Sequence, residues 1–174
     1  MLSLKNQSKS SHYLIFAPDL HRLIRDKVVG FGRKGALSMA LIYDLVKDRR
    51  VYSIDANNTV LEAARFMMEH NIGALPVLRN GELAGIFSER DIMNRVVAVG
   101  RMPGTTKVSE VMTPNPKAVG IEETVENGLF LMREFGFRHL PITDGKQLKG
   151  LISLRDLLLR YVSQKEAESK RMVS

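Results

Sequence analysis

The chain of 174 residues contains no cysteine and no tryptophan. The absence of cysteine rules out disulfides, thiolate metal sites and a thiol nucleophile, and it leaves the redox compartment open. No apolar run approaches the roughly 20 residues that a membrane-spanning helix needs. Catalytic signatures are missing as well. No Gly-x-Ser-x-Gly elbow surrounds Ser88, and no His-Glu-x-x-His occurs. Acidic residues are scarce at one end only. Residues 1–50 hold 10 Lys and Arg against 4 Asp and Glu, whereas residues 51–162 hold 13 of each. The net charge of +7 therefore belongs mainly to the N-terminal stretch, so the pI is no argument for nucleic-acid binding by the chain as a whole.

What the chain does have is a repeat. Gly85-Ile86-Phe87-Ser88-Glu89-Arg90-Asp91 returns as Gly150-Leu151-Ile152-Ser153-Leu154-Arg155-Asp156, 65 residues later. The same offset carries Thr59-Val60 onto Thr124-Val125, Met67 onto Met132, and Leu75-Pro76 onto Leu140-Pro141. A fixed offset over this length marks a duplicated supersecondary unit. Each phrase reads as the end of a buried strand followed by a helix start. Ser88 and Ser153 stand at N-cap positions with an Asp three residues on, a capping box with the shorter acid. Arg90 and Arg155 oppose the helix dipole in the first turn, which points to a role other than helix stability.

These residues resemble a tandem pair of cystathionine-β-synthase-type (CBS) domains, a regulatory module. The resemblance covers roughly residues 42–162 and rests on the apolar-Pro-apolar strands Leu75-Pro76-Val77 and Leu140-Pro141-Ile142, the Gly-apolar-apolar-Ser-x-x-Asp phrases, and the register between them. Thr is common in the family where this chain has Ser88 and Ser153; the hydroxyl is kept. The expected fold is α/β (α+β): two β-α-β-β-α repeats related by a pseudo-twofold, with facing sheets, clefts at their junction and a helical N-terminal extension. The expected division is a basic extension over 1–41, a first repeat over 42–100, a linker over 101–107, a second repeat over 108–162 and a charged tail over 163–174.

Within the extension, residues 1–12 have little to bury. The Ser- and Lys-rich start also resembles a weak mitochondrial transit sequence, against which Asp19 and Asp26 count; the expected compartment is the cytoplasm, with the mitochondrion as the alternative. Residues 18–29 read as an amphipathic helix, better suited to capping the protein's own core than to a membrane surface. Gly30-Phe31-Gly32-Arg33-Lys34-Gly35 matches Gly-x-Gly-x-x-Gly but lacks the preceding strand that a dinucleotide fold needs. Residues 36–46 read as a second short helix with Leu37, Ala40, Leu41 and Leu45 on one side. Val108–Met112 reads as a helical turn. His70, with no second ligand at helical spacing, is structural rather than metal-binding.

The chain offers binding groups rather than a nucleophile with its base, so no catalytic residue, metal or catalytic cofactor is expected. Asp91 and Asp156 can each accept both hydroxyls of a ribose, as an acid does in dinucleotide folds. Ser88 and Ser153, with Arg90 and Arg155 nearby, can hold phosphate oxygens. Arg138 and His139 add donors just before Leu140-Pro141, where the first repeat has only Gly73-Ala74. The resemblance implies that residues before this Pro motif reach a ligand's phosphates, so the two clefts should differ in charge. The backbone at Ile54 and Val119, with apolar strand residues around Pro76 and Pro141, would receive an adenine. The resulting expectation is a sensor of AMP, ADP, ATP, a NAD-type dinucleotide or S-adenosylmethionine, acting on an unidentified regulated protein. Asp156 is expected to serve phosphorylated ligands through Arg138 and His139 of its own repeat, unless a cleft shared between repeats gives those donors to Asp91. A homodimer is expected from the apolar residues Phe66, Met67, Ile92, Val96, Leu129, Met132, Leu157 and Leu158. The alternative is a structural dimerisation module with empty clefts. Nucleic acid is not an expected partner, because the basic stretch has no interleaved aromatics and no recognisable nucleic-acid fold.

Overall fold

In the computed structural model, which describes residues 40–172, a single 3-10 turn (Tyr43–Leu45) precedes the repeats. The first repeat comprises β1 (Ile54–Asp55), α1 (Val60–His70), β2 (Ala74–Arg79), β3 (Glu82–Ser88) and α2 (Glu89–Ile92), which continues as a π turn over Met93–Val97. Next come α3 (Val108–Val111) and β4 (Thr113–Pro114). The second repeat comprises β5 (Val119–Gly120), α4 (Val125–Phe135), β6 (His139–Asp144), β7 (Gln147–Ser153) and α5 (Leu154–Met172).

The local signals that place these elements act twice. Thr59 caps α1 by accepting from the Glu62 N–H at 3.2 Å, while the Glu62 carboxylate accepts from the Thr59 N–H at 2.7 Å. Thr124 caps α4 by accepting from the Asn127 N–H at 3.2 Å. Each helix ends on a left-handed residue, Asn71 and Gly136. β1 runs parallel to β2 and β2 antiparallel to β3, and β5, β6 and β7 repeat that order. Both hairpins carry a register shift at the same place, between Val77 and Leu78 and between Ile142 and Thr143. The first hairpin turns on Asn80 and Gly81, both with positive φ, as a type I′ turn requires. The second turns on Gly145-Lys146, because β6 runs through Asp144.

The segments ahead of each repeat depart most from expectation. Of the helix expected over 36–46, the described part keeps only the 3-10 turn Tyr43–Leu45. Instead the Ile42 N–H donates to Glu123 O (2.8 Å), the Val125 N–H donates to Ala40 O (3.1 Å), and Leu41 bridges Thr124. Ala40, Ile42 and Val46 are buried in the core of the second repeat, with Val125, Met132, Leu140, Ile142, Ile152 and Leu157. The converse holds for the segment ahead of the second repeat. Val108, Val111 and Met112 are buried with Ala63, Val77, Phe87 and Val96 of the first repeat, and β4 pairs with β3. Each lead segment thus completes the other repeat's core. The reason is burial: one small repeat leaves its helix–sheet face open, and the lead segment of its neighbour closes it. The phrase glycines permit the approach. A Cβ on Gly85 would lie 2.3 Å from Met112 Sδ, and one on Gly150 would lie 3.0 Å from Val46 Cβ.

The helix after Ser88 gives way after Ile92 to the π turn. The expected helix at 18–29 and the glycine motif at 30–35 lie outside the described residues.

Candidate functional site

Two clefts lie where the repeats meet. The first, about 510 Å³, is walled by Val46 and Arg49–Tyr52 of the lead segment, by Asn71–Ala74 of the first repeat, and by His139, Gly150, Leu151, Ser153 and Asp156 of the second. The second, about 870 Å³, gathers Ile86, Ser88–Asp91, Arg95 and Thr113 against Gly136–His139, Ser153–Arg155, Leu158 and Leu159. Gly73, His139 and Ser153 line both, so the two spaces are neighbours with a shared wall.

Each cleft holds one phrase aspartate, built into its helix start. Asp91 Oδ2 accepts from the Ser88 N–H (2.9 Å) and from the Ser88 hydroxyl (2.7 Å). Asp156 Oδ2 accepts from the Ser153 N–H (3.2 Å) and from the Ser153 hydroxyl, and the Asp156 N–H donates back to Ser153 Oγ (3.2 Å). Both serine hydroxyls thus take part in the caps of their own helices. A carboxylate offers about four lone-pair sites, so capping leaves room at Oδ1. There the clefts differ. Asp91 Oδ1 lies 3.4 Å from Arg95 Nε, one helical turn on. Asp156 Oδ1 accepts from Arg49 Nη1 at 3.2 Å, across the cleft from the lead segment.

Electrostatics follow from these contacts. Burial by itself would raise the Asp156 carboxyl, but the Ser153 hydroxyl and N–H and the Arg49 guanidinium outweigh it and hold the group below its ordinary 3.8. His139 is pushed below its ordinary 6.5, chiefly by burial and then by the neighbouring Arg138 cation, with Asp156 and Glu89 acting the other way. The ring is therefore held neutral at the wall between the clefts.

Of the residues expected to bind a ligand, Ser88, Arg90, Asp91, Arg138 and Arg155 meet in the second cleft and Asp156 lines the first, while His139 and Ser153 line both. Arg138 thus stands with Asp91 of the other repeat, not with Asp156 of its own. Ile54, Val119, Pro76 and Pro141 line neither cleft. Val119 is buried in the second core, Ile54 packs on the first, and the two prolines are buried within their hairpins opposite Ile86 and Leu151. Sequence reasoning missed Arg49, Arg50 and Tyr52. The two arginines were counted with the basic stretch, and only the crossing of the lead segment reveals their place. Arg95 was legible: Arg160 repeats it at the 65-residue offset, four residues after each aspartate. Its guanidinium also donates to Val111 O (2.9 Å) and Thr113 Oγ1 (3.2 Å), tying α2 to the neighbouring lead segment.

The duplicated β-α-β-β-α unit places one phrase aspartate in each of two adjoining clefts. The CBS domain family model matches residues 42–98 and 108–163, and the chain belongs to that family. A CBS domain-containing protein of Bacillus subtilis, YhcV, is 38% identical over 120 residues, which cover 69% of this chain and 85% of that one. A protein with CBS domains from Burkholderia ambifaria superposes with a TM-score of 0.67 at 34% identity, covering 71% of this chain and 95% of the other. The CBS domain pair of MJ0100, solved in complex with 5′-methylthioadenosine and S-adenosyl-L-methionine, shares the fold with a TM-score of 0.65 at 23% identity, over 72% of this chain and 98% of that pair.

Proposed function

We propose that the chain is a regulatory module that binds an adenosine nucleotide in the clefts between its repeats and passes the ligand state to a partner protein. One observation carries the reading. In the second cleft Asp91 stands with Arg90, Arg138 and Arg155, and none of these three guanidiniums is paired with an acid among the described residues. An acid that accepts a vicinal diol, beside cations with nothing to neutralise, suits a ribose carrying a phosphate. This cleft is the better candidate for AMP, ADP or ATP. The first cleft lacks Arg138, and its cations are Arg49 and Arg50 of the lead segment.

A homodimer fits the same reading, through a face that keeps Leu158 of the expected residues. Met67, Val96, Met132 and Leu157 are buried in the chain's own cores. Met93, Val97, Leu158, Leu159 and Val162 are instead 47 to 65% exposed along α5 and the π turn. Met93 and Val97 lie 65 residues before Leu158 and Val162, so the face obeys the pseudo-twofold and could meet its own copy isologously.

Isothermal titration of the full chain with AMP and ATP tests the nucleotide reading. Charge-assisted hydrogen bonds to a ribose contribute about 1.5–3 kcal/mol each, so Asp91→Ala should weaken AMP binding roughly tenfold to a hundredfold or more. Loss of the cap alone costs about 1 kcal/mol of stability and leaves affinity nearly intact. Wild-type binding that Asp91→Ala leaves unchanged refutes the ribose role. No binding to any adenosine ligand favours the dimerisation module.

A further inference from the structure

The two phrase aspartates are alike in sequence and in their caps, yet they are neutralised differently. Asp91 takes its cation from Arg95 on its own helix. Asp156 has the equivalent Arg160 four residues on, but its free oxygen is held by Arg49, a residue of the crossing lead segment. Three residues before Arg49, Val46 is 2% exposed and sits against Gly150, where a Cβ would be 3.0 Å from Val46 Cβ. The backbone that carries Arg49 is anchored to the second repeat, while its side chain is half exposed and reaches into the cleft.

From this geometry we infer that Arg49 is the specificity residue of the first cleft, selecting ribose ligands that carry an anionic group over neutral ones. The inference rests on the nucleotide reading above. A diol approaching Asp156 competes with Arg49 for Oδ1, because Oδ2 already accepts from both Ser153 donors. A neutral nucleoside that displaces Arg49 leaves the guanidinium without its carboxylate. A ligand with a phosphate or carboxylate near the same place gives it a new partner, and Arg–phosphate pairs are among the stronger polar contacts. The pair is half exposed, so the discrimination is modest. The repeat register gives no equivalent in the second cleft, where the position of Arg49 is taken by Pro114.

The test compares AMP with 5′-methylthioadenosine, a neutral adenosine ligand, by titration calorimetry on the full-length wild type, Arg49→Ala and Arg49→Lys. Arg49→Ala should bind methylthioadenosine about threefold to tenfold more tightly than the wild type and AMP more weakly, so that the two affinities converge. Arg49→Lys keeps the charge and should keep most of the preference. Thermal melts of the three proteins confirm folding; Arg49 is exposed enough that small shifts are expected. Methylthioadenosine binding that is unchanged or weaker in Arg49→Ala overturns the inference while leaving the nucleotide reading intact. If the wild type binds neither ligand, the nucleotide reading itself fails, and this inference falls with it.

Discussion

Ile42 offers the sharpest test of the crossed cores. It precedes the first repeat, yet it is fully buried in the second, against α4 and α5. A Cβ on Gly128 of α4 would lie 2.5 Å from Ile42 Cδ1 and 3.1 Å from Leu157 Cδ1. Ile42→Ala should cost about 2–5 kcal/mol, the transfer term plus the cavity left behind. For a domain of this size that is a fall in Tm of roughly 6–20 °C. Gly128→Ala alone overpacks the same contact and should cost about 1–3 kcal/mol, less whatever helix propensity returns. In the Ile42→Ala background the new methyl enters the space Ile42 vacated, so the substitution should become neutral or stabilising. The four proteins form a double-mutant cycle with a coupling of about 0.5–3 kcal/mol, readable in urea melts. Hydrogen exchange locates the effect: protection should fall first in α4 and β5–β7, although the mutated residue lies more than 80 positions before α4's midpoint. Equal effects of Gly128→Ala in both backgrounds, to within about 0.5 kcal/mol, would refute the crossed packing.

Gly85→Ala and Gly150→Ala should each destabilise by about 1–3 kcal/mol in chemical melts, because each Cβ strikes a lead segment. Gly120→Ala, with nothing within 4 Å, is the control and should stay within about 0.5 kcal/mol. His139 has a folded pKa below its unfolded one, so its contribution is present above about pH 6.5 and is lost as pH falls through the window between 6.5 and the depressed folded value. Melts across pH 7.5 to 5 should show a decline that His139→Gln flattens; an unaltered slope would remove His139 as its source. Asp156 follows the same sign lower down, with stability present above about 3.8 and lost as pH drops below it. Val97→Asp and Val162→Asp each place a charge on the exposed face and should yield monomers by light scattering where the wild type is a dimer; a monomeric wild type at micromolar concentration ends the dimer proposal.

The repeat was legible because the sequence keeps it in register: caps, prolines, hairpins and phrases all recur at one offset, and each has a local physical reason. The lead segments were not legible because their burial has no helical period. Ala40, Ile42 and Val46 are the buried positions, spaced two and then four. That is a short extended stretch followed by one 3-10 turn, and a helical reading of 36–46 selects Ala40 but takes Leu41 and Leu45 in place of Ile42 and Val46. The partner that gives this spacing its meaning, the 123–125 backbone, lies some 80 residues away. The same distance concealed the cleft assignments. A common repeat favours pairing Arg138 with Asp156, and the alternative, a cleft shared between repeats, is the one that places it beside Asp91.

The crossing also makes the two clefts unequal in what they can report. The first is walled by Arg49–Tyr52, which continue directly from the anchored Val46, and Tyr52 stacks on His70 of α1 at 4.6 Å between centroids. A ligand there bears on the lead segment and on the first repeat's helix together. The second cleft meets the other lead segment only at Thr113, which is fixed by β4 pairing and by Arg95. A ligand at Asp91 would therefore work against a wall braced by β4, and one at Asp156 against a wall whose ion pair, Arg49 to Asp156, is partly exposed. On the nucleotide reading proposed above, a ligand in the first cleft, which lacks Arg138, bears on more of the chain. Affinity and signalling need not reside in the same half of the duplication.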